Sequence, residues 1–551
     1  MTDYSDFDDR GRRLILFQEE ILRAFPRLLS SVDRCPVSAT GGCMDREYWA
    51  WATKDFANMD AQRGVYPLAY FFHTPFQGNV YLRQPALLEW IRLAVRFWIG
   101  GQSPRGAFDH LYVHENSWMA AAFTLVDMVA AFRLVKEEMD PKFAKAWMAA
   151  MERAGRHLIG NGEEHGFISN HRAGAAAGLL GLHNLTGDEA YKTRAWSLMD
   201  EVYRRQSLEG WFLEYEGADP GYQTLDTHYQ AIFLKEAGFD APALDAVKRS
   251  IEWLAYFVHP DGSVGGDYGS RACPHYWPGG FEALAARLPA AEGVARLCTA
   301  GYARVNSSGP RDADDRNFIP LLTSYTLAHS HLMTQGEYPA ERTPCARAFE
   351  RIWPECGIYI RSTPDKYVIF GGSKGGVVKI FDKVKRELIQ SSCGFVGKLA
   401  DGAEVTTLVY TAFPDMRSPG LEPGAERPLR PEAEVTLNTR YYEFKTKRFM
   451  APLVFLGFRI FNLTVGRIKA VNDFVRKHII IGWFLKSRKA CGATLERTLR
   501  AHPQRRIELA DLTTPSPSRP FVELRERAFF SAVYMASAKY FRNQDLRNGD
   551  K

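Results

Sequence analysis

The strongest constraint on what this chain can fold into is a recurrence. Four segments that read as helix starts each carry a histidine: HENSWMAAAFTLVDMVAAF from His114, NHRAGAAAGLLGLHNLTG from Asn170, THYQAIFLKEAG from Thr227 and PHYWPGGFEALAARL from Pro274. The histidines stand at 114, 171, 228 and 275, so the successive steps are 57, 57 and 47 residues. A step of that size holds one helical hairpin with its turns, and hairpins that bury one another's apolar faces build a toroid or solenoid. From about residue 14 to 335 the texture stays the same, with amphipathic segments parted by short Gly/Pro/Asp-rich connections. Equivalent helix ends in such an array share one rim. Chemically capable side chains at the helix starts are therefore expected to gather there.

Beyond about residue 350 the texture changes. CGIYIRSTPDKYVIFGGSKGGVVKIFD and AEVTTLVYTAF alternate apolar and polar residues, are rich in Val, Ile, Tyr and Thr, and are punctuated by Gly-Gly, which reads as antiparallel sheet. ERTPCARAFERIWPE is the expected linker. The expected fold is thus mainly α then β. An N-terminal incomplete (α/α) toroid of helix hairpins, residues 1–340, precedes an antiparallel β-sandwich over 350–551. With 551 residues, 46% of them hydrophobic, the chain can bury two such cores.

One stretch breaks the β pattern. In 449–477, FMAPLVFLGFRIFNLTVGRIKAVNDFVRK, the polar residues Arg459, Asn462, Gly466, Lys469, Asp473 and Arg476 step by three and four and leave a wide apolar face. Between Lys445 and Lys489 Asp473 is the only acid against eleven Lys and Arg. That combination suits an interfacial helix in peripheral contact with a membrane. A helix packed on the sheet with a solvated basic face is the alternative. The charges interrupt it too often for a bilayer span.

Net charge +6 suits an anionic partner, and no nucleic-acid motif accompanies it, so no nucleic acid is expected. MTDYSDFDDRGRR has no apolar run behind it, and the eight cysteines form no CxxC pair. The expected compartment is the cytoplasm, with a place at the inner face of the membrane. Cys35 and Cys43 are expected as buried free thiols. His329 and His331 point apart on a helix, and HENSW lacks the second histidine of a zinc motif. No metal and no other cofactor is expected. GGSKGG (371–376) leads from strand to strand and reads as a hairpin turn rather than a phosphate loop.

The remaining polar groups cluster at helix starts. Asn170, His171 and Arg172 open one helix, and Ser169 or Asn170 could cap it. WFLEYEGADPGYQTLDTHYQA puts Glu214, Asp219, Tyr222, His228 and Tyr229 around the next, and HPDGSVGGDYGSRACPHYWPGGFE offers Asp267, Tyr268, Arg271 and His275 before another. His114 and Asn116 belong to the first helix start. A neutral His or a Tyr phenolate can remove a carbon-bound proton. Asn and Arg can bind a neighbouring carboxylate and stabilise the enolate-like charge that develops there. The block GGCMDREYWAWATKDFANMDAQRG (41–64), with Asp45, Arg46, Trp49, Trp51, Lys54 and Asp55, could stack on sugar rings or pack the N-terminal helices.

The toroid-then-sandwich order and these motifs resemble the heparinase II/III-like polysaccharide lyases. Asn170-His171 looks like the Asn-His pair of the alginate lyases in that group, Tyr222 in DPGYQT like their catalytic tyrosine, and Pro260-Asp261-Gly262 with Gly266-Asp267 like their PDG…GD stretch. YVIFGGSKGGVVKIFD is similar to the start of their second domain, and the resemblance covers roughly 160–390. It implies Tyr222 as base or acid at a sugar C5, His171 as its partner on the opposite side, and Asn170 as ligand of a uronate carboxylate helped by Arg172 or Arg271. His275 is a third acid/base candidate on the chemistry of its residue type alone. Tyr229, one heptad after Tyr222, is the rival tyrosine, and Glu214, Asp219, His228, His114 and Asn116 are candidate substrate ligands.

The expected function is abstraction of the C5 proton of a uronic acid unit in an acidic polysaccharide. β-Elimination would make the protein a lyase, and reprotonation from the other face would make it a C5-epimerase of glycan biosynthesis. A membrane-side location points toward a lipid-linked glycan. The reading from another class is a non-catalytic glycan-binding or scaffold protein.

Overall fold

A computed structural model of the protein describes residues 4–163, 166–334, 336–422, 424–444, 452–475, 478, 489–502 and 506–530. Five inner helices, Val65–His73, Trp118–Val135, Ser169–Thr186, Pro220–Glu236 and Gly279–Leu284, begin at intervals of 51 to 59 residues, and Asp315–Leu332 follows them. Each packs on the next, and outer helices such as Pro141–Gly160 and Glu189–Arg204 return the chain between them. The ends of the inner layer meet where Tyr70 Oη lies 2.8 Å from His329 Nδ1 and Arg63 donates to Thr323 Oγ1 at 3.2 Å.

The period is therefore a property of the hairpins, and the histidines do not hold equivalent places in it. His114 precedes its helix, His171 is third in its own, His228 lies two turns inside, and His275 stands in the loop before Gly279. His228 is thus not at a helix start.

Local chemistry explains the helix starts. Ser117 Oγ accepts from Ala120 N at 3.2 Å, and Asp219 accepts from Tyr222 N at 2.9 Å with Pro220 in the first turn. Neither Ser169 nor Asn170 caps its helix: Ile168 holds the cap position without a side-chain bond. Ser169 Oγ donates instead to Leu213 O at 2.7 Å, which ties this helix to the segment before the next. The run AGAAAGLLG is small because the helix is crowded on both sides. A Cβ on Gly174 would stand 2.7 Å from the Phe123 ring. Trp118–Val135 is apolar nearly all round because neighbours enclose it.

The β region has two sheets. One runs β1 (Phe349–Trp353), β2 (Ile358–Ser362), β3 (Lys366–Gly371), β4 (Val377–Asp382) and β5 (Glu387–Ser392) in sequence order, all antiparallel. The other contains β6 (Phe395–Leu399), β7 (Glu404–Thr406), β8 (Asp415–Arg417), β9 (Ala433–Glu443), β10 (Lys489–Ala501), β11 (Ile507–Thr514) and β12 (Phe521–Glu526), in the order β11-β10-β9-β7-β6-β12 with β8 beside β9. Val378, Ile380, Val435, Leu437 and Leu499 form one core between them. GGSKGG is the β3–β4 turn, as its flanking strands require.

The basic insert falls in the β9–β10 connection. Within it the structure describes helices Pro452–Leu463 and Lys469–Phe474; residues 449–451, 476 and 477 lie outside the described residues. All eight cysteines are free. Cys43 is buried as expected, but Cys35 is exposed, because the 34–40 turn loops outward from Asp33, whose Oδ1 accepts from Cys35 N.

The sandwich is seated on the rim of the toroid. Lys374 of the β3–β4 turn donates to Ser270 O at 2.7 Å, Lys379 of β4 meets Asp267 at 2.5 Å, and Tyr367 Oη donates to Tyr256 O at 2.5 Å. Asp267 is accordingly committed to the domain seam. Tyr268 is buried there too, with its hydroxyl 2.7 Å from His259 Nε2.

Candidate active site

The loops before the Ser169 and Pro220 helices run side by side. Ile168 bridges to Glu214, and Tyr215 N donates to Phe167 O at 3.0 Å. The two helices therefore start at one level and run parallel, about 8–10 Å apart as packed neighbours are. His171 and Tyr222 each hold the third position of their helix. Both are partly exposed on this rim.

His171 Nδ1 lies 2.6 Å from Glu163 Oε2, a buried carboxylate. With Glu163 ionised, Nδ1 carries the proton and the basic lone pair sits on Nε2, the tautomer a general base needs. Tyr222 is positioned through its backbone by Asp219, and its ring stacks on Trp277 with centroids 6.3 Å apart. Behind Trp277 lies His275, fully buried, with Nδ1 2.6 Å from Ser308 Oγ. His275 thus backs the tyrosine instead of sharing its exposure on the rim.

Below the rim is a cluster of buried polar groups. Asn170 Nδ2 donates to Glu214 Oε2 at 2.7 Å. Burial pushes the Glu214 carboxyl well above its ordinary value, against the hydrogen bond from Asn170 and the nearby charge of Arg271. Arg271 lies over the Tyr215 ring, 3.8 Å from its centroid. Asn170 Oδ1, Glu214 Oε1 and Arg271 Nε have no hydrogen-bond partner among the described residues. A guanidinium N–H and a carboxyl in its protonated form can each donate to a carboxylate, with Asn170 Nδ2 holding that carboxyl in place.

Other expected residues have different work. Asp219 is fully spent on backbone N–H groups, accepting from Tyr222, Arg271 and Cys273, and so clamps the 269–273 loop to the helix start. Burial raises its carboxyl despite those bonds. Arg172 turns to the outer layer, where it pairs with Glu201 and stacks on Phe167. Tyr229 is sealed in the toroid axis against Phe123 and Arg63, and burial pushes its phenol far up, so it shares no accessible face with Tyr222. His228 beside it is held down to about 3 by burial, then by Arg63. His114 and Asn116 take left-handed backbone in the loop before Trp118, where Asn116 Nδ2 donates to His114 O. In the N-terminal block Trp49 donates to Ser31 O and Asp45 binds Lys54, while Trp51 stays exposed.

Sequence reasoning misses three participants. Glu163 lies in the loop ahead of NHR, where an acid eight residues before His171 is the available signal. Trp277 is visible in PHYWPGG, but an aromatic ahead of a helix is as ordinary in packing as in a site. Tyr410 comes from the other domain: a Cβ on Gly217 would lie 1.9 Å from its hydroxyl, so only glycine fits beneath it. Nothing in sequence spacing announces that contact. Hollows lined by Asp45, Lys54 and Arg316, and by Tyr256, Arg347 and Arg351, lie elsewhere and contain none of Asn170, His171, Glu214, Tyr222 or Arg271. Among the described residues no group of three or more His, Cys, Asp or Glu side chains is placed to hold a metal.

Comparison with known proteins agrees with this architecture. Residues 58–280 match the family of the ulvan lyase N-terminal domain. No curated protein matches the chain by sequence. Among solved structures, a Streptomyces coelicolor A3 chondroitin AC lyase in complex with chondroitin sulphate aligns with TM-score 0.50 at 11% identity, over 80% of this chain and 71% of that one. A Paenibacillus xanthan lyase aligns with TM-score 0.48 at 11% identity, over 81% of this chain, and heparinase III with 0.47 at 9%, over 82%. The chain spans 47% of the xanthan lyase and 61% of the heparinase. Residues 58–280 are thus similar to an ulvan lyase N-terminal domain, and the chain as a whole shares the helical-toroid-plus-sandwich fold of the chondroitin AC lyase.

Proposed function

We propose that this protein is a lyase acting on uronate units of an acidic polysaccharide, with proton abstraction at C5 as its first step. The observation that carries this reading is the pairing of His171 and Tyr222 on neighbouring helix starts, above buried Asn170 and Glu214 and half-buried Arg271, with Glu214 Oε1 and Arg271 Nε unpartnered among the described residues. The cluster takes the uronate carboxylate. Arg271 offers its charge and its Nε–H, and Glu214 in its neutral form donates where an ionised carboxylate would repel. Holding the carboxylate in this way stabilises the charge that develops as the C5–H bond breaks. One of His171 and Tyr222 accepts that proton. The electron pair forms the C4=C5 bond, the C4–O bond breaks, and the departing oxygen takes a proton from the other residue.

The test is incubation with a panel of uronate polymers in heavy water. Chain shortening with ultraviolet absorbance from the new C4=C5 bond is the expected result. Deuterium at C5 without cleavage would replace the lyase with the epimerase, and binding without either would leave a glycan-binding scaffold. Tyr222→Phe should lower kcat by about a hundredfold or more with an unchanged circular dichroism spectrum. Full activity in that variant would remove Tyr222 from the mechanism.

A further inference from the structure

The insert between β9 and β10 stands on the same rim as the site. The Arg459 guanidinium pairs with Asp55, in the loop before the Val65 helix, and Asn472 Nδ2 donates to His114 O at 3.3 Å, in the loop before the Trp118 helix. These loops precede inner helices that start at the same end as His171 and Tyr222. The insert therefore flanks the site on one side, while the β3–β4 turn and Tyr410 flank it on the other.

Its outer surface is unlike the rest of the molecule. Leu453, Val454, Phe455, Leu456, Ile460 and Leu463 are 49–82% exposed, and Val465, Ile468 and Phe474 continue the patch. In Pro452–Leu463 the one buried residue is Asn462. Soluble surfaces rarely carry so much contiguous apolar area without a partner. The charge around it names the partner, since the segment from Lys445 to Lys489 holds eleven cations and one acid. The described cation Arg467 is exposed between Val465 and Ile468. A second copy of this chain would set cation against cation. An anionic lipid surface instead satisfies both features, taking apolar side chains among the acyl chains and cations at the headgroups.

We infer that the insert is a membrane-docking arm that sets the rim of the toroid against an anionic bilayer. The inference is independent of the lyase reading, because it needs only the arm and its place on the rim. An enzyme docked in this way would meet glycans held at that same surface.

Co-sedimentation of the full chain with vesicles tests it, comparing phosphatidylcholine alone with phosphatidylcholine containing phosphatidylglycerol. Binding to the anionic vesicles is expected, with at least about a tenfold weaker partition for the triple variant Phe455→Ser, Leu456→Ser, Ile460→Ser and a clear loss at high salt. Deuterium exchange should slow on binding at 452–475 and in the 50–58 and 109–116 loops. Equal binding by the triple variant, no preference for anionic vesicles, or slowing confined to surfaces away from the rim would each overturn the inference. So would a concentration-dependent dimer that the triple variant abolishes. An unfolded triple variant would be recognised by circular dichroism, and Phe455→Ser alone then makes the same comparison.

Discussion

One turn beyond Tyr222 in the same helix, Asp226 is buried at the toroid's inner wall and accepts from Gln230 Nε2 at 2.6 Å and Gln223 Nε2 at 3.2 Å. Burial pushes its carboxyl up from 3.8 to about 7, outweighing those two bonds. Below pH 3.8 the group is protonated folded and unfolded and costs nothing. As pH rises the unfolded chain ionises first, and stability falls until the folded carboxyl also ionises near pH 7. At about 1.36 kcal/mol for each pH unit within that window, the loss is about 2 kcal/mol at pH 5 and about 4 kcal/mol at pH 8. Asp226→Asn removes the titration and keeps an oxygen for both glutamines, and its amide has Gln230 Oε1 at hand, an atom without a partner among the described residues. Its stability relative to wild type should therefore improve by about 2 to 3 kcal/mol between pH 5 and pH 8. Every other titrating group is common to the two proteins and cancels. Urea titrations followed by tryptophan fluorescence, read on the toroid's transition, measure this. A difference constant within about 0.5 kcal/mol across that range, a fraction of the predicted change, would refute the claim that Asp226 is held neutral by burial.

Two further outcomes follow from the seam and the carboxylate cluster. Gly217→Ala forces the Tyr410 ring out of its seat and should cost about 1–3 kcal/mol at the domain contact, with partial recovery in the Gly217→Ala, Tyr410→Ala double variant measured by thermal unfolding. Glu214 is raised by burial, so wild-type KM for a uronate polymer should climb at alkaline pH as the carboxyl ionises and repels substrate. Glu214→Gln, which stays neutral, should flatten that climb, and identical KM profiles would exclude a neutral Glu214 as part of the binding site.

Much of the site is legible in the sequence as composition and little of it as geometry. NHR and DPGYQT stand out as clusters because a structural helix start needs one capping side chain, and these segments spend several. The sequence does not show that Asp219 is consumed by three backbone N–H groups, or that Arg172 faces Glu201 instead of Glu214. Those outcomes depend on which way the chain turns before each helix, and no local pattern carries that.

What the chain determined by itself was the period of its hairpins, the small-residue packing of the Ser169 helix, the switch to alternating strands after about residue 350 and the basic apolar character of the insert. Each is a property of neighbouring residues, fixed by helix and strand geometry within a few turns. Only the tertiary structure decided that His228 and Tyr229 are sealed in the axis while His171 and Tyr222 reach the rim, that Glu163 holds the imidazole, and that Lys374 and Tyr410 of another domain meet Ser270 and Gly217 in the loops nearby. Those contacts join residues up to roughly two hundred positions apart, and burial, which sets the charge of Glu214 and Asp226, exists only once they are made.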